Sequence, residues 1–198
     1  SSDVCSSDLG AEIAQWREWS EMRQLDWDLL VYPTHTGIQN WVRDLNKLLQ
    51  AEPALQQHDF DLAGFQWIEV NDNENSVFAF LRLADDPKEF LVVALNFTPV
   101  VRRGYRIGVP EAGFYKEILN SDSTYYGGSD VGNGGGLQTD AVPYHIYQQS
   151  LKLTLPPLGA VVFKLERSAA SVSDEPEQPT GDAAHGERDA DDAGSAAS

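Results

Sequence analysis

The spacing of apolar residues changes once along this chain, and the change divides it. Ile38, Trp41, Val42, Leu45, Leu48 and Leu49 recur every three or four residues, which draws one continuous stripe along a helix. The stripe predicts a helix over about 37–51, with Thr36 as N-cap, Pro53 as stop and Lys47 near the negative end of the dipole. It is wide and includes a tryptophan, so it calls for a large partner surface. Residues 10–35 offer no obvious one, and the stripe is expected to be orphaned.

After Pro53 the period falls to two. Phe65–Val70, Val77–Leu83, Phe90–Phe97, Tyr105–Val109, Phe114–Leu119, Ser150–Leu155 and Ala160–Leu165 are short β-rich runs, separated by Asn, Asp, Pro and Gly turns. Such spacing predicts an antiparallel sandwich or barrel. The glycine-rich interval Ser121 to Val142 predicts a long flexible loop. The fold class expected is therefore mainly β: an antiparallel β-sandwich preceded by one helix.

Both ends depart from this pattern. Residues 1–9 repeat an SSD unit and resemble a non-native scar. Residues 167–198 are Ala, Ser, Gly, Asp, Glu and Pro with no aromatic residue, too little apolar surface to offset the entropy of ordering, which predicts a disordered acidic tail. The expected organisation is thus 1–9 scar, 10–55 helix-bearing segment, 56–166 all-β domain and 167–198 tail.

Charge narrows the partners. With 31 acidic and 14 basic residues the formal net charge is −17. A phosphate backbone is held by clustered Lys and Arg, so no nucleic acid and no anionic membrane surface is expected as partner. The apolar runs fall far short of the roughly 20 residues that span a bilayer. A single cysteine, Cys5, allows no internal disulfide and suits a reducing compartment; with no signal-like start, a soluble cytoplasmic protein is expected.

Candidate chemistry is sparse. The Gly-rich run from Gly127 to Gly136 lacks the Lys-Ser or Lys-Thr of a phosphate loop, and His35, His58, His145 and His185 show no ligand spacing, so no cofactor and no metal is expected. Glycoside chemistry needs two carboxylates. The pairs Asp26/Asp28, Asp59/Asp61 and Asp72/Glu74 sit in turn-like contexts, where Asp serves its own backbone. The richest segment is Glu12, Gln15, Trp16 and Trp19, followed by Leu25-Asp26-Trp27. Indoles interleaved with acids and an amide suit either a sugar platform, where pyranose faces stack on rings, or a domain-interface core.

In these residues the chain closely resembles the C-terminal part of bacterial glycogen branching enzymes. The likeness runs from Glu12, Gln15-Trp16 and Trp19 through Gln39, Trp41-Val42-Arg43-Asp44-Leu45, Gly64-Phe65, Trp67-Ile68 and Asn96-Phe97-Thr98-Pro99 to Tyr126-Gly127-Gly128-Ser129 and Leu155-Pro156-Pro157-Leu158. It covers about residues 10–165. The resemblance implies the α-amylase superfamily, with 10–55 the end of a (β/α)8 barrel and 56–166 the C-terminal β-sandwich. It implies a retaining transglycosylation: an α-1,4-glucan is cleaved, held as a covalent glycosyl-enzyme and transferred to a 6-hydroxyl, making an α-1,6 branch. The catalytic carboxylates of such enzymes lie on earlier barrel strands, so no catalytic residue is assigned here. The partner implied is α-glucan or glycogen. Glu12, Gln15, Trp16 and Trp19 would follow the last barrel strand and shape a glucan subsite, since barrel active sites sit at the C-terminal strand ends. Two alternatives stay open for the β-domain, in this or another enzyme of the superfamily. A carbohydrate-binding module would show an exposed aromatic row, whereas a structural cap, the preferred alternative on sequence, would not.

Overall fold

The computed structural model describes residues 10–18 and 20–167. The expectations for residues 1–9, Trp19, His185 and the tail from Ser168 lie outside the described residues.

The helix α1 spans Pro33–Ala51. It starts earlier than its apolar stripe, because Pro33 occupies the first turn, where its fixed φ suits the helix and its missing N–H is not needed. Thr36 is not the N-cap: Tyr32 is, without a side-chain bond, and the Thr36 hydroxyl instead donates to the Leu30 and Tyr32 carbonyls. Eight strands follow: β1 Phe65–Asp72, β2 Val77–Leu83, β3 Phe90–Asn96, β4 Arg102–Val109, β5 Phe114–Asn120, β6 Gly136–Gln138, β7 Gln149–Leu155 and β8 Gly159–Leu165. Seven correspond to the predicted runs. The eighth, β6, lies within the predicted loop.

All pairings are antiparallel. Six strands form one sheet in the order β1-β2-β3-β8-β5-β6, and β4 pairs with β7 in a second. The inner core lies between them, with Val77, Ala79 and Leu81 of β2, Val92 and Ala94 of β3, Ile107 and Val109 of β4, Leu151 and Leu153 of β7 and Phe163 of β8. The period-two pattern in β2 and β7 follows from this single buried face. In β3 every residue but Leu95 is buried, because its outer face is covered as well.

That cover is α1. Trp41 and Leu48 pack on Leu91, Val93, Leu119 and Val162 of the six-stranded sheet, forming a second apolar cluster. The stripe is therefore not orphaned throughout: the Trp41/Leu48 edge is partnered by the β-domain, and only Ile38, Leu45 and Leu49 remain exposed. Sequence spacing counts one stripe, of which the described fold covers one edge.

The interval Ser121–Val142 is pinned rather than loose. The Asp122 carboxylate accepts the Ser129 and Val131 N–H groups and the Ser129 hydroxyl at 2.7–3.0 Å. Asn133 bonds Glu117 and the Thr154 backbone in both directions. These side chains give the loop backbone the partners that a ladder would otherwise supply.

Candidate glucan-contact surface

The segment before α1 is built around a buried histidine. His35, in the first turn of α1, is 6% exposed, and its Nδ1 donates to the Ile13 carbonyl at 2.7 Å. This anchors the short 3-10 turn Ala11–Ile13 that carries Glu12. The Trp16 indole meets the His35 ring edge-on at 5.3 Å and stacks with Tyr32 at 6.4 Å. Trp16 remains 75% exposed, so most of its face is open to a ligand.

The predicted site residues separate by role. Glu12 is exposed and makes no hydrogen bond among the described residues. Gln15 is spent on the fold: its amide oxygen accepts the Asp26 N–H at 2.9 Å and its amide nitrogen donates to the Arg17 carbonyl at 2.8 Å. Arg17 then forms a two-point ion pair with Asp26, at 2.6 and 3.1 Å. Trp19 lies outside the described residues. Of the carboxylate pairs, one member in each of two shows the expected turn chemistry: Asp61 accepts the Ala63 N–H and Asp72 the Asn75 N–H, whereas Asp26 and Asp59 instead pair with Arg17 and Arg82.

The β-domain holds α1 through the pinned loop. Tyr126 meets the Trp41 ring edge-on at 5.1 Å and donates to Asp44 at 3.1 Å. Arg43 donates to the Tyr125 hydroxyl at 2.6 Å. Burial pushes the Tyr126 hydroxyl up to about 12, with help from the Asp44 carboxylate. The Asp44 carboxyl is held below its ordinary value, first by its bond to Lys47 and, against some burial, by Tyr126.

Beside α1, the outer face of the large sheet carries an aromatic row. Phe65 meets Trp67 edge-on at 4.7 Å, Trp67 lies 5.9 Å from Phe78, and Phe78 meets Phe97 at 5.6 Å. Trp67 is 47% and Phe97 57% exposed. A groove of about 280 Å³ between Phe97, Leu158 and Trp41 continues the row toward α1. Its polar groups are internally satisfied: the Asn96 amide bonds the Val100 and Pro156 carbonyls, and Ser121 accepts the Ala160 N–H. Sequence reasoning noted these strands without assigning their faces. The signal was present in the alternation Phe65/Trp67 and Phe78/Phe80, which puts four rings on one side of an adjacent strand pair.

The chain is 53% identical over 159 residues to the 1,4-alpha-glucan branching enzyme GlgB of Paramagnetospirillum magneticum, covering 80% of this chain and 22% of that protein. It is 52% identical over 159 residues to the enzyme of the same name from Trichodesmium erythraeum, covering 80% and 20%. With the corresponding enzyme of Thiobacillus denitrificans it shares 53% over 156 residues, covering 79% and 21%. The chain thus spans about a fifth of the length of these relatives. Residues 67–166, from the row-bearing strand to the last strand, match the model of the α-amylase C-terminal all-beta domain, and the chain belongs to that family.

Proposed function

We propose that this chain is the C-terminal part of a 1,4-α-glucan branching enzyme acting on glycogen in the cytoplasm, and that it contributes glucan contacts rather than reacting groups. The observation that carries this reading is the identity of about half over four fifths of the chain with proteins of that name. The reaction is a retaining transfer in which an acceptor 6-hydroxyl takes the place of water. Its carboxylates are assigned to the part of the enzyme that precedes this segment. Residues 10–55 are read as the end of the barrel and 56–166 as the β-domain.

Two exposed aromatic surfaces support glucan contact. Trp16, with Tyr32 beside it, is read as part of a subsite near the reacting centre, with Glu12 as a hydroxyl partner. The Trp67, Phe78 and Phe97 row is the feature expected of a sugar-binding β-domain, and it favours that alternative over a purely structural cap.

The whole enzyme, incubated with amylose, is expected to lower iodine absorbance without a matching rise in reducing ends. A matching rise would make it a hydrolase and overturn the reading. Residues 10–167 alone are expected to leave the iodine absorbance unchanged. In glycogen-containing native gels the same segment is expected to be retarded, and Trp67→Ala with Phe97→Ala to lessen that retardation. A segment that glycogen does not retard would return the β-domain to a structural role.

A further inference from the structure

On one side of the sandwich the edge strands β1 and β4 lie together without forming a ladder. A groove of about 540 Å³ opens there, lined among others by Glu69, Asp72, Arg102, Arg103 and Tyr144. Its shape follows from backbone irregularities. Register shifts in β1 between Trp67 and Glu69, and between Glu69 and Asp72, bring both carboxylates to the rim. On the other side a bulge at Gly104, with φ 70°, interrupts the β4 register.

Some of these groups are already engaged. Glu69 accepts the Asn71 N–H at 2.7 Å and bonds His145 Nε2 at 3.1 Å; because His145 Nδ1 accepts the Gly108 N–H, Nε2 carries the proton. Asp72 accepts the Tyr105 hydroxyl at 2.6 Å and the Asn75 amide, and Arg106 pairs with Asp140 at 2.9 Å. Others are free. Arg103 and the Tyr144 hydroxyl have no hydrogen-bond partner among the described residues, and the Tyr144 residue is 41% exposed. Arg102 makes only long bonds, at 3.3 and 3.4 Å, and its Nε is buried without a partner.

With Arg106 matched to Asp140, two carboxylates face two guanidinium groups, so the groove carries little net charge. A strongly ionic ligand gains little there, whereas a neutral polyhydroxyl compound meets spare donors, carboxylate lone pairs and an aromatic ring together. Charges turned inward at an edge strand also block unwanted pairing. That role accounts for Glu69 and Asp72 but leaves Arg103 and Tyr144 without a purpose.

We propose that this groove is a second α-glucan contact, separate from the aromatic row and reached over the same strand β1, in which Arg103, Arg102 and Tyr144 bond sugar hydroxyls. It rests on the reading that the chain contributes α-glucan contacts. The test is an amide NMR titration of the chain with millimolar maltoheptaose. Shifts are expected at Asn75, Gly104 and Tyr144 as well as along the row, and those at the groove should persist in Trp67→Ala. Arg103→Ala combined with Tyr144→Phe is expected to weaken binding at the groove about thirtyfold, the loss of two net hydrogen bonds. Shifts confined to the row would overturn this proposal and leave the glucan reading standing. Unchanged groove binding in the double variant would overturn it too. Shifts nowhere would overturn both.

Discussion

The carbonyl of Tyr126 sits against the Cα of Gly37, at the place where a Cβ would have to go. This contact lets α1 lie close to the pinned loop of the β-domain, and it brings Trp41 and Asp44, one and two turns on, to the same tyrosine. Gly37→Ala sets two effects against each other. Alanine favours the helix by about 1 kcal/mol, while forcing a methyl onto a backbone carbonyl costs about 1–3 kcal/mol. The clash should win, because a backbone oxygen cannot rotate away as a side chain can. Urea unfolding is expected to show a net loss of about 1 kcal/mol, and an unchanged or higher midpoint would disprove the close approach.

This contact also shows what was legible beforehand and what was not. Seven strands and the helix follow from apolar spacing, because each buries one face or both. Nothing local in the sequence marks Gly37, since the need for it lies in a residue 89 positions away. The loop hides its order for a related reason. Its glycines signal freedom locally, while that freedom is removed partly by Asp122 within the loop and partly by Glu117 and the Thr154 backbone, from β5 and β7. His35 shows no ligand spacing, and its partner, the Ile13 carbonyl, lies 22 residues earlier; no periodicity encodes a side chain meeting a carbonyl. Of the site, Trp16 and the glucan resemblance were readable, while the row needed the strand register to place its rings together.

Alkaline pH should destabilise the fold through four tyrosines, half-buried Tyr147 among them. Burial raises the hydroxyls of Tyr105, Tyr115, Tyr147 and Tyr126, aided by Asp72 at Tyr105 and by Asp44 at Tyr126, which reaches about 12. A raised folded value means that the stabilisation is complete below the unfolded value of about 10 and is lost as pH rises through the folded ones. Urea midpoints are expected to fall from about pH 10 to 12. Tyr126→Phe should flatten part of that slope, and an equal slope in the variant would contradict the assignment.

His58 joins the segment before β1 to the β2–β3 turn. Its ring bonds Asp61 at 3.0 Å and Asp85 at 2.8 Å, and these carboxylates, Asp61 foremost, hold its pKa above the ordinary value. The stabilisation from this junction should be complete below about pH 6.5 and disappear as pH rises through the raised value. Ring NMR titration should show Asp61→Asn moving His58 back toward the ordinary value. An unmoved titration would mean that the bridge does not form in solution.

Trp16 and Gln15, adjacent in sequence, should answer substitution in opposite ways. Gln15 makes two hydrogen bonds to backbone, so Gln15→Ala is expected to destabilise the segment by about 1–2 kcal/mol. Its effect on turnover would come only through displacement of its neighbours. Trp16 is 75% exposed and buries little, so Trp16→Ala should barely move the unfolding midpoint. If its open face receives a sugar, the same change in the whole enzyme should lower turnover or alter branch length at unchanged stability. Chain-length profiles of the branched product, read beside thermal unfolding, separate the two roles. A Trp16→Ala enzyme with unaltered kinetics and product would remove this indole from the glucan path, leaving His35 and Tyr32 as parts of a purely structural corner.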